Sequence, residues 1–273
     1  MDSRKLERIL LLILLLLNVF LLAVVLSDSA QTRRSHAETA ASVAALLEEN
    51  GIRAADGAIR ISQAPARCTL TRDLAQEQRI VKGLIGRNES TDQGGNIMYY
   101  AGARGQAQMR GSGELDVLFQ SGAVPVSHGE ERTGLRLLKN AGIHAGAARR
   151  DTSEGMTWEF FSRWNGIPVY NAVLRVSFTE SDVSIMTGTR IFDTVTTQDG
   201  SGLMDSVSVL IRFMEIVRNE GYICSRIDAV EPGYLQSVLR SGEMLLTPVW
   251  RIETDAGAIL IDAESGRLEN RLS

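Results

Sequence analysis

The chain has 273 residues, with 44% hydrophobic residues and a formal net charge of −4. Removing Arg4, Lys5 and Arg8 with Asp2 and Glu7 from the start leaves 26 cationic against 31 acidic residues, a net −5 for the rest. That mildly acidic, mixed surface argues against nucleic-acid or anionic-lipid binding, while the apolar content is enough to bury a core.

The first element is an apolar run. Ile9 to Leu26 is 18 residues with ten Leu and one polar member, Asn18. As a helix it is about 27 Å long, near the ~30 Å hydrocarbon thickness of a bilayer. Sixteen large apolar residues at roughly −0.5 kcal/mol each favour insertion by about 8 kcal/mol, well beyond what one Asn offsets. Arg4, Lys5 and Arg8 precede the run and Asp28 follows it. The positive-inside bias places residues 1–8 in the cytoplasm and residues 27–273 outside. The run exceeds the 7–15 residues usual in a cleaved signal peptide, and no A-x-A site follows, so it is read as a single-pass anchor. Asn18 lies mid-span, where an amide gains roughly 0.6–2 kcal/mol from a bond to another helix. It is the candidate helix–helix contact residue within the membrane.

Beyond the anchor one pattern recurs: Leu47-Glu48-Glu49-Asn50-Gly51-Ile52, Leu138-Lys139-Asn140-Ala141-Gly142-Ile143 and Val217-Arg218-Asn219-Glu220-Gly221-Tyr222. Each reads as a last helical turn closed by a left-handed Gly, then an apolar residue opening the next segment. The helices are expected over 36–50, 129–141 and 206–220. Ala40, Val43, Ala44 and Leu47 form one face of the first; Val207, Leu210, Ile211, Met214 and Val217 form that of the third, widened by Val209, Phe213 and Ile216. Asp205 is the expected N-cap of the third. In the stretch 51–127, Thr71–Ile85 looks helical, Arg87–Asn96 a polar loop and Ala101–Gly113 a mobile hairpin. Asn165-Gly166 is a two-residue hairpin signal between alternating strands, and a third run covers Val183–Phe192. Asp193–Met204 reads as a polar linker. Three strands follow the third helix, over Tyr222–Val230, Met244–Glu253 and Ala258–Ala263.

The expected fold is therefore α+β: an N-terminal transmembrane helix, then repeated helix-plus-antiparallel-sheet (αβββ-like) units. The outer part is divided into domains over 27–127 and 128–273.

No catalytic or cofactor motif is present, and His36, His128 and His144 are too scattered for a metal site. His128-Gly129-Glu130-Glu131 reads as a helix start, with the glutamates at the positive dipole end. Ser112 and Ser201 have no base at a recognisable spacing. Asp262–Gly266 reads as a structural turn. Cys68 and Cys224 would be permitted a disulfide outside the cell, but two cysteines so far apart make no framework and are read as small hydrophobes. The chain is expected to be no enzyme and to need no cofactor.

Three stretches carry a resemblance. They are Leu17-Asn18-Val19-Phe20-Leu21-Leu22 in the anchor, Asn165-Gly166-Ile167-Pro168-Val169-Tyr170-Asn171, and Pro248-Val249-Trp250-Arg251-Ile252 with Gly257, Ile261-Asp262-Ala263 and Gly266. In these the chain resembles the YycI (WalI) family, membrane-anchored regulators of the Wal (YycFG) two-component system of low-GC Gram-positive bacteria. The last stretch, within the second domain, is also similar to PepSY-type modules. The YycI resemblance implies an accessory protein in the cell membrane that adjusts a sensor histidine kinase (YycG/WalK-like) alongside a YycH-like partner, in control of cell-wall metabolism, with no catalytic residues. The PepSY resemblance implies an extracytoplasmic binding module that inhibits a peptidase or senses an envelope ligand.

Overall fold

The computed structural model describes residues 35–151 and 156–272. The apolar run 9–26, with Asn18, lies outside the described residues; among those described, no helix is long and apolar enough to cross a membrane. The architecture is mixed α+β and dominated by sheet.

Helix α1 covers residues 35–49 and buries Val43 and Leu47. The recurring Gly closes helices as its chemistry requires. Gly51, Gly142 and Gly221 have φ of 80°, 76° and 68°. Ile52 N–H donates to Leu47 O at 3.0 Å and Ile143 N–H to Leu138 O at 2.9 Å, the six-to-one bond of a Schellman closure. The apolar residue after each Gly is buried.

After the short β1 (Arg53–Ala54) and β2 (Arg67–Thr71) come two helix-plus-meander units. The first is α2 (Leu74–Ile85) with β3 (Asn88–Asp92), β4 (Ile97–Gly102), β5 (Gly105–Arg110) and β6 (Glu114–Phe119). The second is α3 (Glu130–Asn140) with β7 (Ala145–Asp151), β8 (Thr157–Trp164), β9 (Ile167–Phe178) and β10 (Val183–Thr189). Within each, consecutive strands pair antiparallel, and β6 pairs with β10. The result is one continuous antiparallel sheet in the order β3-β4-β5-β6-β10-β9-β8-β7. After β11 (Thr194–Asp199), a third unit follows: α4 (Ser206–Glu220) with the meander β12 (Arg226–Val238), β13 (Met244–Thr254), β14 (Gly257–Asp262) and β15 (Leu268–Leu272). β2 pairs with both β13 and β11, and β1 runs parallel to β12. Each unit thus has four strands per helix where three were expected. The added strands are the polar edge strand β3, the edge strand β7 with only small Ala and Gly residues before its arginines, and β15; none has a two-sided apolar pattern.

Several sequence expectations are revised. Arg87–Asn96 contains edge strand β3, and the supposed mobile hairpin is β4–β5 inside the sheet, with Tyr100, Ala107 and Met109 buried beneath the helices. Thr71 ends β2, and α2 starts only after Asp73, whose side chain accepts from Ala75 N–H at 2.8 Å. The linker 193–204 holds β11. In α4, Asp205 is the N-cap as expected, but Ile211 is 45% exposed while Val209, Phe213 and Ile216 are fully buried. The apolar stripe is centred one position away from the expected line, because α1 packs beside α4 and a broad sheet lies beneath. β12 begins at Arg226, not Tyr222.

Two helix-covered cores flank a third. One joins α2 and α3 over β4–β6 and β8–β10. The domain boundary expected at 127/128 falls inside this core: a Cβ at Gly83 on α2 would lie 2.6 Å from Ala141 Cα, just past α3. The second joins α1 and α4 over β12–β14. The third, around Trp164, Phe192, Tyr234 and Met244, lies where the two sheets meet. There β9 and β12 touch in parallel, Val169 opposite Tyr234.

Candidate functional site

The sequence-predicted site residue, Asn18, lies outside the described residues; the polar clusters and clefts below lie within residues 35–272. Among the described residues no three His, Cys, Asp or Glu side chains are grouped to hold a metal. The polar clusters singled out in the sequence are engaged in local structure. Asp262 Oδ1 accepts from Glu264 N–H at 3.0 Å and Ser265 N–H at 2.6 Å. Ser201 N–H and Oγ–H both donate to Asp199. Glu130 accepts from Trp158 Nε1–H at 2.7 Å. Cys68 and Cys224 are free thiols, the first buried at the junction of the sheets.

The two sheets diverge from β9–β12, and their helix-free faces enclose a cleft of about 710 Å³. A register irregularity builds it. β9 pairs with β8 through Val173–Phe161 and through Pro168–Arg163, so the residues between, 169–172, leave the β8 ladder. That segment is held by β12 instead: Asn171 Nδ2–H donates to Gln236 O and Gln236 N–H donates back to Asn171 Oδ1, both at 2.8 Å. The break in alternation turns Tyr170 toward the cleft, away from the side that Ala172, Leu174 and Val176 bury. Its ring lies against Gly233, where a Cβ would sit 2.3 Å from Tyr170 Cε2. Burial, and then the Glu231 carboxylate, hold the Tyr170 hydroxyl protonated well above its ordinary range.

The cleft walls are charged and unequal. On the β8–β9 wall, Arg149 and Arg175 share one carboxylate, Glu159, at 2.7 and 2.9 Å. Arg163 beside them donates to Gly166 O at 2.8 Å, on the Asn165-Gly166 turn. This wall therefore carries three cations against one anion. On the β12–β13 wall, Arg251 lies 3.2 Å from Glu253 and 4.0 Å from Glu231, with its guanidinium 5.8 Å from the Tyr170 ring centroid. That wall carries an excess of carboxylate. Such a cleft offers no nucleophile–base pair; it can hold a chain segment by charge pairing and stacking.

A second polar cluster was not seen in the sequence reading. Glu77 of α2 is 0% exposed. It accepts from Arg72 Nε–H and Nη2–H at 2.8 and 2.7 Å, from Tyr100 Oη–H at 2.8 Å, and from Arg190 Nη2–H. Burial alone would raise the Glu77 carboxyl; the Arg72 hydrogen bonds and the Arg190 charge outweigh it and hold the group below its ordinary range. Arg72 precedes α2 as the chain leaves β2 for the eight-stranded sheet. Arg190 follows β10 as the chain returns. One buried carboxylate thus clamps both crossovers between the sheets. The signal was present in sequence, since Glu77 precedes Ile80, Val81 and Leu84 at helical spacing and so lies on the apolar face.

No family model matches the chain, and no curated protein matches it. Among solved structures it is similar to an uncharacterized protein from Eubacterium rectale ATCC 33656, with 11% identity, 81% of this chain and 90% of that chain covered, and a TM-score of 0.46. It is also similar to the Bacillus megaterium YpeB C-terminal domain, with 8% identity, 75% and 99% covered, and a TM-score of 0.37. Likenesses at this level carry no argument about activity or partners.

Proposed function

We propose that this chain is a membrane-anchored accessory regulator of a sensor histidine kinase, acting outside the cytoplasm through protein contacts and within the bilayer through its anchor. The observation that carries the reading is the layout of the sequence: a basic start and a Leu-rich 9–26 run with Asn18, ahead of the YycI-like stretches 165–171 and 248–266. In this reading residues 9–26 span the membrane once, and the repeated helix-plus-sheet units that follow form the outer, regulatory part. A YycH-like protein is the second partner. Two of the three stretches contribute to the cleft: Gly166 holds Arg163, Tyr170 lines one wall and Arg251 the other. The unequal charge of those walls supports a docking role for the cleft.

The test is reconstitution of the full chain with the sensor kinase of its own host in proteoliposomes. The chain is expected to co-purify with the kinase and to change its autophosphorylation rate. Arg163→Glu, which reverses a cleft cation that has no carboxylate partner among the described ion pairs, should weaken both effects, while Arg163→Gln, which loses the same charge-assisted bond to Gly166 O without reversing the charge, should lower the unfolding temperature as much but weaken them less. A chain that neither binds the kinase nor alters its rate overturns the proposal. If it instead slows an envelope peptidase, the PepSY-like reading replaces it.

A further inference from the structure

We propose that the outer face of the α2–α3 layer, where the two helices cross, docks an acidic segment of a partner protein. The two units repeat a short pattern there, Arg79-Ile80-Val81-Lys82 on α2 and Arg136-Leu137-Leu138-Lys139 on α3. The central pair is buried in both, at 4% and 0% exposed on α2 and at 5% and 1% on α3. Helical spacing then turns the flanking cations to the opposite side, and all four are exposed. The helices approach closely beside them: a Cβ at Gly83 would lie 2.6 Å from Ala141 Cα and 2.8 Å from Asn140 O. Lys82 and Lys139, the chain neighbours of Gly83 and Asn140, are therefore brought to one crossing.

A recess of about 210 Å³ opens at the crossing, with Gly83, Arg104, Ser127, Arg136 and Asn140 in its lining. At ~30 Å³ per water that is room for roughly seven waters, or for one acidic side chain. Arg136 Nη2–H donates to Ser127 Oγ, and Arg104 is held at the end of α2, its N–H bonded to Ile85 O at 3.3 Å. Neither these arginines nor Arg79, Lys82 and Lys139 form an ion pair among the described residues, and no carboxylate lines the recess. The carboxylates of these elements lie elsewhere or are engaged. Asp73 caps α2 and Glu131 opens α3, each roughly 15 Å along its helix from the crossing. Glu130 accepts from Trp158, and Asp182, bridged through its backbone to Pro125 in the recess wall, accepts from Ser181. The two helix C-termini supply about one negative charge between them, less than the cations carry. Charge complementarity therefore selects an anionic partner, and the recess selects one with a projecting carboxylate, which guanidinium groups pair well. Among the exposed large apolar side chains of the described residues, only Leu74, in the first turn of α2, lies on this layer. The apolar contact that holds a protein on a lipid surface is thus missing at the crossing. The inference does not rest on the kinase reading.

The lysines of the chain are Lys5, Lys82 and Lys139, so amine acylation reads this surface directly. The full chain in non-ionic detergent is mixed with a capped octapeptide of alternating Glu and Gly, acylated, and mapped by mass spectrometry. The peptide should slow acylation of Lys82 and Lys139 severalfold and saturably, with Lys5 unchanged, and the effect should fade as salt is raised. The matching Gln–Gly peptide should protect neither lysine. Arg136→Glu should raise the peptide concentration for half protection about tenfold, whereas Arg240→Glu, the same change on the exposed β12–β13 turn, should raise it less than about twofold. Arg79→Gln, which removes a charge from the other helix and no hydrogen bond among the described residues, should raise it about threefold. Absence of protection, equal protection by the Gln–Gly peptide, or a loss in Arg240→Glu as large as in Arg136→Glu overturns the proposal. So does a loss in Arg163→Glu with binding kept in Arg136→Glu, which places the peptide in the cleft. Protection only when phosphatidylglycerol is added to the micelles overturns it too, since the surface is then a membrane contact.

Discussion

Glu77→Gln tests the clamp most directly. The substitution keeps the shape of the side chain and removes its charge, leaving Arg72 and Arg190 facing a neutral amide. Arg190 is 1% exposed and the Glu77 side chain 0%, so solvent cannot replace the lost anion. Breaking one partner out of a buried pair costs about 3–5 kcal/mol, because the remaining charge stays buried. For a fold of this size that corresponds to a fall of roughly 10 °C in unfolding temperature. Urea titration of the full chain, followed by tryptophan fluorescence, measures it. Replacing Glu77, Arg190 and Arg72 together by Leu, with Tyr100→Phe, should recover at least half of the loss, since an apolar cluster can substitute for a buried ionic one only when every partner of the carboxylate is removed with it. The pH dependence has a definite sign. The folded-state pKa of Glu77 lies below its ordinary value of 4.5, so its contribution is complete above that pH and is lost as pH falls through the folded value. The gap between native and Glu77→Gln protein should therefore narrow below about pH 4.5. A cost under roughly 1 kcal/mol at pH 7, or a gap that widens in acid, would refute the clamp.

Other outcomes follow from the packing. Gly83→Leu drives a side chain into the Ala141 backbone, 2.6 Å from where its Cβ would begin, and should cost more than about 2 kcal/mol by chemical denaturation; a neutral result would mean that α2 and α3 do not share a core. Met214→Asp buries an unpaired charge beside α1 and should cost several kcal/mol. Arg212→Asp should cost more than a solvated position does, about 1–2 kcal/mol, because Arg212 Nε–H donates to Gly266 O at 2.8 Å. Equal losses at 212 and 214 would contradict the helical phase of α4. In the membrane, Asn18→Leu should leave insertion intact yet weaken co-purification with the kinase; unchanged co-purification and unchanged kinase output would reduce the anchor to a tether.

What sequence alone determined here is what depends on neighbours a few residues apart. Helix ends followed from Gly51, Gly142 and Gly221, because a left-handed closure favours Gly wherever it occurs. The Asp205 cap, the alternation in β8 and the α+β class follow from the same local rules. Among the strands it missed, β3 and β11 are polar edges whose residues are mostly exposed, so they exist only because a partner supplies backbone hydrogen bonds. Glu77 could be placed on an apolar face from its spacing, but not its partners. Arg190 lies 113 positions along the chain, and only the shared crossover brings the two together. The cleft was least legible of all. It depends on a break in the β8–β9 register that lets β12 take residues 169–172, and on two sheets meeting at an angle. Pairing between distant strands is set by the whole sheet, and a slip there decides which face a side chain such as Tyr170 takes without any change in the local pattern.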